Sequence, residues 1–307
     1  MTQTVLDVEN FLKKHTGVAI SGVTPIGKGE WSSAYSYQQN GFGKVIRFSR
    51  FEEDYKKDRF ASGLSSQKLP IPPIEEIGQA FNNSFAISPR VEGKMIDELT
   101  PFEIQKVIPA FLELLDSLRS ADVSKTTGFG SWDGNGQGTK KCWNEFILGI
   151  ASDKPSNRIA GWKEKLAKNK NTYKIYSLAY DRLTNLISYC PNERYLVHND
   201  LLHTNLIVND NKIAAVIDWG CALYGDFLYD LAMYTLWQFY YPSMAKIDFK
   251  NKAKNYFKDA GADLRNFDQR LKCYELHLAL DSIAYNSFKE NRKNVDLTIG
   301  RIKEILA

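Results

Sequence analysis

The residues best equipped for chemistry are His198-Asn199-Asp200-Leu201-Leu202-His203-Thr204-Asn205 and, further on, Asp218. Asp200 and Asn205 share one tight loop. Two short apolar runs follow, at 206–208 and 214–217, separated by Asn209-Asp210-Asn211-Lys212, which is a hairpin signal. Asp218 comes directly after the second run. Phosphoryl transfer from a nucleotide needs a carboxylate to orient the attacking hydroxyl and oxygen ligands for magnesium. Asp200 can supply the first; Asn205 and Asp218 can supply the second, an oxygen set that hard divalent ions prefer. A lone HxD would be weak evidence, whereas HxDxxxxN, hairpin and Ile217-Asp218-Trp219 together are specific. Singly, each of these residues reads as an ordinary turn former, but chance explains the combination poorly. His198 is expected to brace the loop through its neutral ring, neither acid nor base, and His203 has no assigned partner.

The elements that must hold this loop are legible from periodicity. Val5, Val8, Phe11 and Leu12 recur at helical spacing. Residues 20–26 and 34–37 read as strands around Gly27-Lys28-Gly29-Glu30-Trp31-Ser32-Ser33, and the turn Asn40-Gly41-Phe42-Gly43 leads to an alternating strand at 44–48. A charged helical stretch at 52–64 ends before Pro70, Pro72 and Pro73, and 85–91 supplies another strand. Beyond Gly93 helix periodicity dominates: 99–118, 143–151, 162–167, 173–189, 227–241 and two segments after Asp268. The expectation is an α+β chain of two lobes, a small β-rich N-lobe at 1–92 and a larger helical C-lobe at 93–307, joined by a connector at 88–93. At 307 residues the chain is long enough for two lobes.

Composition removes several function classes. The N-terminus shows no basic segment followed by an apolar one, so no signal peptide is expected, and no apolar run approaches the roughly 20 residues of a membrane span. Four cysteines, Cys142, Cys190, Cys221 and Cys273, are scattered without a CxxC pair, which suits free thiols in a reducing cytoplasm. The net charge is +4, but its bases lie in the C-terminal stretch interleaved with acids, as on solvated helix faces; no nucleic-acid or membrane partner is expected. From 195 to 240 the acids Asp200, Asp210, Asp218, Asp226 and Asp230 face only Lys212 and no other base, which suits a cationic substrate. The glycines from Gly128 to Gly138 form no dinucleotide fingerprint, since no strand and helix flank them correctly; they read as a flexible loop near the substrate.

The catalytic loop, the hairpin, Ile217-Asp218-Trp219, Gly225-Asp226 and Tyr229-Asp230-Leu231-Ala232 together resemble the aminoglycoside phosphotransferase family, whose fold is protein-kinase-like. Leu69-Pro70-Ile71-Pro72, Thr127-Gly128-Phe129-Gly130 and Leu196-Val197-His198 extend the resemblance over roughly residues 5–285, toward the branch acting on the aminocyclitol hygromycin B. The resemblance implies a bilobal kinase-like fold and a cytoplasmic monomer that uses ATP or GTP with Mg2+ to phosphorylate a hydroxyl of a cationic antibiotic. Asp200 would engage the hydroxyl, and Asn205 and Asp218 would hold the metal. Asn199 fills a position usually small, but Asn tolerates left-handed angles.

On the nucleotide side the resemblance implies Gly27, Gly29 and Ser32 in a loop over the phosphates. Arg47 would be the strand cation, its acidic helix partner open between Asp58 and Glu53; Lys44, by alternation, points to the opposite face. Ser88, Arg90 and Val91 would form the hinge that meets the purine. Candidate substrate-side acids are Asp226, Asp230, Glu275 and Asp281. Two other functions stay open: a kinase of another amino alcohol or sugar, and a non-catalytic kinase-like binding protein. A protein kinase is disfavoured, because no long activation segment follows Asp218.

Overall fold

A computed structural model describes residues 3–29, 31–202 and 205–307. Glu30 of the glycine turn, and His203 and Thr204 of the catalytic loop, lie outside the described residues. The chain forms two compact units: Met1–Leu114 with Trp132–Gln137 and Asp200–Ala222, and Leu115–Ser131 with Gly138–Asn199 and Leu223–Ala307.

The first unit opens with helix α1 (Val5–Thr16), started by a Thr4–Asp7 capping box and stopped by left-handed Gly17. Strands β1 (Ile20–Lys28), β2 (Ser32–Gln39) and β3 (Phe42–Ser49) follow as a meander, then helix α2 (Glu52–Ser62), β4 (Glu76–Ala80) and β5 (Asn83–Pro89). The five strands make one antiparallel sheet in the order β1-β2-β3-β5-β4. Alternation along the sheet sends Tyr35, Tyr37, Ile46, Phe48, Phe85 and Ile87 to one face, where Val8 and Leu12 of α1 close the core. β4 was not expected from the sequence. Its residues are mostly half-buried without apolar alternation, and its turn to β5 uses Phe81 and Asn82, both at positive φ, with no glycine to announce it.

Next come β6 (Lys94–Met95) and helix α3 (Pro101–Ser120). The second unit then supplies β7 (Phe129–Trp132), β8 (Gly138–Lys140), α4 (Trp143–Leu148), α5 (Trp162–Ala167), α6 (Lys170–Leu186) and β9 (Tyr195–Val197). The catalytic loop leads back to the first unit and the hairpin β10 (Leu206–Asn209) and β11 (Lys212–Val216), whose turn residues Asp210 and Asn211 both have positive φ, as a two-residue primed turn requires. β6 pairs with β10, and Gly93 is needed there because a Cβ would press on the Val208 carbonyl. Finally β12 (Leu223–Gly225), α7 (Leu228–Trp237), α8 (Phe249–Asp259), α9 (Phe267–Phe288) and α10 (Arg292–Leu306) complete the second unit. Its sheet runs β8-β7-β12-β9. The fold is therefore α+β, with a β-rich N-terminal region and a helical C-terminal region, as expected. Among the described residues no helix is long and apolar enough to cross a membrane.

Candidate active site

The catalytic loop is fixed from below by Leu201 and Leu202, both buried. At its end the Asn205 side-chain amide donates to the Asp200 backbone carbonyl at 2.8 Å and to Asp200 Oδ2 at 2.9 Å. Nδ2 is thereby committed to Asp200, so Oδ1 is the Asn205 atom that suits a metal. The Ile217 amide donates to the Asn205 carbonyl at 3.0 Å, which brings the residue before Asp218 against the loop. Asp218 itself is left-handed, with φ 63° and ψ 71°, a conformation Asp tolerates better than most residues. A carboxylate and an amide oxygen on adjoining backbone are donor types that fit a hard divalent ion.

Helix α2 supports this turn with two adjacent residues. Asp58 Oδ1 accepts the Trp219 amide at 2.7 Å, while its Oδ2 pairs with Arg47 of β3. Lys57 donates to the Gly220 carbonyl at 2.9 Å. The question left open by the sequence is thus answered: Asp58 is the partner of Arg47, and Glu53 accepts the Gly134 amide at 2.5 Å instead. Arg47 also lies over the Tyr55 ring, 5.2 Å from its centroid. Burial works against the Arg47 charge, yet the carboxylates of Asp58 and Asp218 hold its affinity for protons above the ordinary value. Lys44 points away and pairs with Glu75 at 2.6 Å, as alternation required.

The phosphate-loop candidates sit at the β1–β2 turn. Gly27 pairs with Ala34 inside the sheet, Gly29 lies in the turn, and Ser32 opens β2. Trp31 packs on Phe51 at 5.5 Å and takes Arg50 over its ring at 5.4 Å, a bracing cluster that sequence reasoning missed. Of the hinge candidates, Ser88 pairs with Val45 in the sheet; Arg90 donates its amide to the Gly43 carbonyl at 3.0 Å and pairs with Glu92; Val91 is half-buried.

Two of the expected substrate-side acids are internal, and this is a correction. Asp226 is fully buried and accepts from Arg270 Nε at 2.8 Å, Arg270 Nη2 at 2.6 Å and the Tyr274 hydroxyl at 2.6 Å. Asp230 is also buried and accepts the His198 and Asn199 amides at 2.9 and 2.7 Å. Both carboxylates are turned to partners inside the protein; Asp230 holds the two peptide groups just before Asp200, with Asn199 left-handed at φ 63°. Burial pushes the Asp230 carboxyl up to about 6 against those two hydrogen bonds. His198 is fully buried, in keeping with a bracing role. Glu275 and Asp281 lie on α9. Glu275 is half-buried, and burial raises its carboxyl while the Thr235 hydroxyl opposes the shift. Asp281 reaches solvent, yet surrounding atoms shield it enough to push its carboxyl up to about 6.

The glycine-rich segment is not a free loop. Its strands β7 and β8 are ordered, and Gly134 and Gly136 allow its tip to lie flush on Lys56 and Phe60 of α2.

A family model described as the APH phosphotransferase enzyme family matches residues 56–247, spanning Asp58, the catalytic loop and Asp218. The chain belongs to this family. This phosphotransferase is 29% identical to hygromycin-B 4-O-kinase of Escherichia coli over 306 residues, 99% of this chain and 85% of that protein. Its structure is similar to a thermostable mutant of aminoglycoside phosphotransferase APH(4)-Ia in ternary complex with AMP-PNP and hygromycin B, with TM-score 0.85, 29% identity and 97% of both chains covered. An apo form of a thermostable mutant of APH(4)-Ia gives TM-score 0.83 at the same identity and coverage. A spectinomycin phosphotransferase, at 14% identity and TM-score 0.62 over 99% of this chain and 95% of that one, shares the fold.

Proposed function

We propose that this phosphotransferase moves the γ-phosphate of ATP or GTP onto a hydroxyl of an aminocyclitol antibiotic, with hygromycin B as the first choice. The observation that carries the reading is the double hydrogen bond from Asn205 to Asp200, joined through Ile217 to the backbone of Asp218.

The Asp200 carboxylate accepts a hydrogen bond from the substrate hydroxyl, aligns it with the phosphorus and takes its proton as the new P–O bond forms and the bond from the γ-phosphorus to the bridging oxygen breaks, releasing the nucleoside diphosphate. Asn205 keeps that carboxylate from rotating. Arg47, fixed by Asp58, offers its guanidinium to phosphate oxygens, which a planar fork binds well. Asn205 Oδ1 and Asp218 would hold magnesium, which would supply charge neutralisation at the phosphates. Gly29 and Ser32 place backbone and hydroxyl donors over the phosphates. With the Arg90 amide already given to Gly43, the purine contact at the hinge falls to Val91 and to the Arg90 carbonyl. Asp281 and Glu275 remain the acids for substrate ammonium groups. The likeness to a hygromycin kinase and to hygromycin-bound structures supports the choice of acceptor.

The test is incubation of the purified chain with Mg2+, labelled ATP or GTP, and a panel of hygromycin B, other aminoglycosides and neutral sugars. Hygromycin B gaining one phosphoryl group by mass is the expected result. Transfer to a neutral sugar alone would favour a metabolite kinase, and no transfer to any acceptor a binding protein.

A further inference from the structure

Lys57 is a buried ammonium next to the phosphoryl-transfer centre, and nothing in the reaction as derived above uses it. Burying an ammonium is unfavourable unless its surroundings compensate. Only 7% of Lys57 is exposed, and its Nζ reaches the Gly220 carbonyl at 2.9 Å. Its neighbour Asp58 holds the Trp219 amide. Two adjacent residues of α2, the donor Lys57 and the acceptor Asp58, therefore serve consecutive residues of the turn that begins with left-handed Asp218. The turn has little space to adjust: a Cβ on Gly220 would lie 3.3 Å from the Asp54 carboxyl carbon and 3.5 Å from Asp218 Oδ1.

We infer that Lys57 is a positioning residue for the metal ligand Asp218, clamping the Gly220 carbonyl so that the Asp218 carboxylate keeps the direction the metal needs. The inference rests on the proposed phosphoryl-transfer function. Ile217 and Asp58 hold the turn on either side of Asp218, at the Asn205 carbonyl and the Trp219 amide, and Lys57 adds an anchor one residue further on, at the Gly220 carbonyl. Asp58 and Lys57 sit on one helix, which Phe60 and Glu53 also hold against the segment 132–137. Groups that orient a metal ligand without touching the metal typically change metal affinity by about 10- to 100-fold when removed.

The test compares the full chain with Lys57→Met, which keeps the length but not the charge, and Lys57→Gln, which keeps a donor on a shorter stem. Folding is checked by circular dichroism. Nucleotide affinity is measured without metal, and Mn2+ affinity of the nucleotide complex by the spin-resonance signal of free Mn2+. The expected result is Mn2+ binding weakened about tenfold or more in each folded variant, with metal-free nucleotide affinity unchanged. Turnover should then be partly restored by raised Mg2+. Wild-type Mn2+ affinity in either folded variant, or loss of nucleotide and metal binding together, overturns the role given to Lys57. A wild-type chain that transfers no phosphate would instead contradict the parent function, and the binding measurements keep these failures apart.

Discussion

Asn205 donates its side-chain amide to Asp200 twice, once to the backbone carbonyl and once to the carboxylate. One residue thus sets both the shape of the loop and the orientation of the carboxylate that we propose meets the substrate hydroxyl. Replacing the amide by a carboxylate, Asn205→Asp, removes the donor and sets two like charges in contact. The expected outcome is a fall in kcat of about 100-fold or more, with a folded protein by circular dichroism. Steady-state kinetics check it, and unchanged kcat would show that the bridge has no part in turnover.

The Arg47–Asp58 pair separates stability from activity. Breaking a buried pair by removing one partner leaves an uncompensated charge and costs about 3–5 kcal/mol, whereas replacing both partners by apolar groups is far milder. Arg47→Met and Asp58→Met are each expected to lower the denaturation midpoint strongly. The double variant should recover part of that loss while remaining as inactive as the worse single variant. Denaturant titration with kinetics on all four proteins reads both quantities.

The ion pair between Asp226 and Arg270 calls for a different signature from a substrate contact, because both side chains are at most 1% exposed. Arg270→Met is expected to destabilise the chain by about 3–5 kcal/mol. The KM for the acceptor should hold within about twofold wherever the protein stays folded, a bound set by the absence of any lost substrate binding. A large rise in acceptor KM at unchanged stability would put Asp226 back on the substrate side.

Acid stability should turn on His277. Burial holds this imidazole down to about 3, while its Nδ1 meets the Tyr229 hydroxyl at 2.7 Å. The unfolded chain protonates His near its ordinary value, so between about 6.5 and 3 the unfolded state binds the extra proton, and stability falls as pH falls. Asp230 acts with the opposite sign: raised to about 6 in the fold, it makes the native state bind the proton as pH drops from about 6 toward 4. His277→Gln is therefore expected to change the slope of unfolding free energy against pH by up to about 1.4 kcal/mol per unit below pH 6.5. Urea titrations from pH 7 to 4 test it; parallel wild-type and variant curves would contradict it.

Much of the centre was legible because its chemistry is local in sequence. Asp200, Asn205, the hairpin and Asp218 follow one another closely, and the primed turn at Asp210-Asn211 was visible in its residue types. Asp58, Asp226 and Asp230 were harder for one shared reason: an acid in the chain does not declare whether it faces solvent or a buried cation. Asp226 gained its meaning from Arg270, Asp230 from the peptide groups of His198 and Asn199, and neither pairing leaves a periodic trace. Lys57 was silent for the same cause, since on a highly charged helix one lysine looks like another. Helix α8 escaped because only Phe249, Ala253 and Phe257 of its residues are buried, a sparse stripe among lysines. Short strands such as β9 and β12, of three residues each, are defined by their partners and not by their own pattern.

The most direct measurement is phosphate transfer to hygromycin B by the wild-type chain and by Asp200→Asn side by side, with nucleotide binding measured on both. The expected result is Mg2+-dependent transfer by the wild type, and a kcat reduced by about 10²- to 10⁴-fold in the variant at near-equal nucleotide affinity. Full turnover by Asp200→Asn would contradict the assignment of Asp200 as the group that engages the hydroxyl.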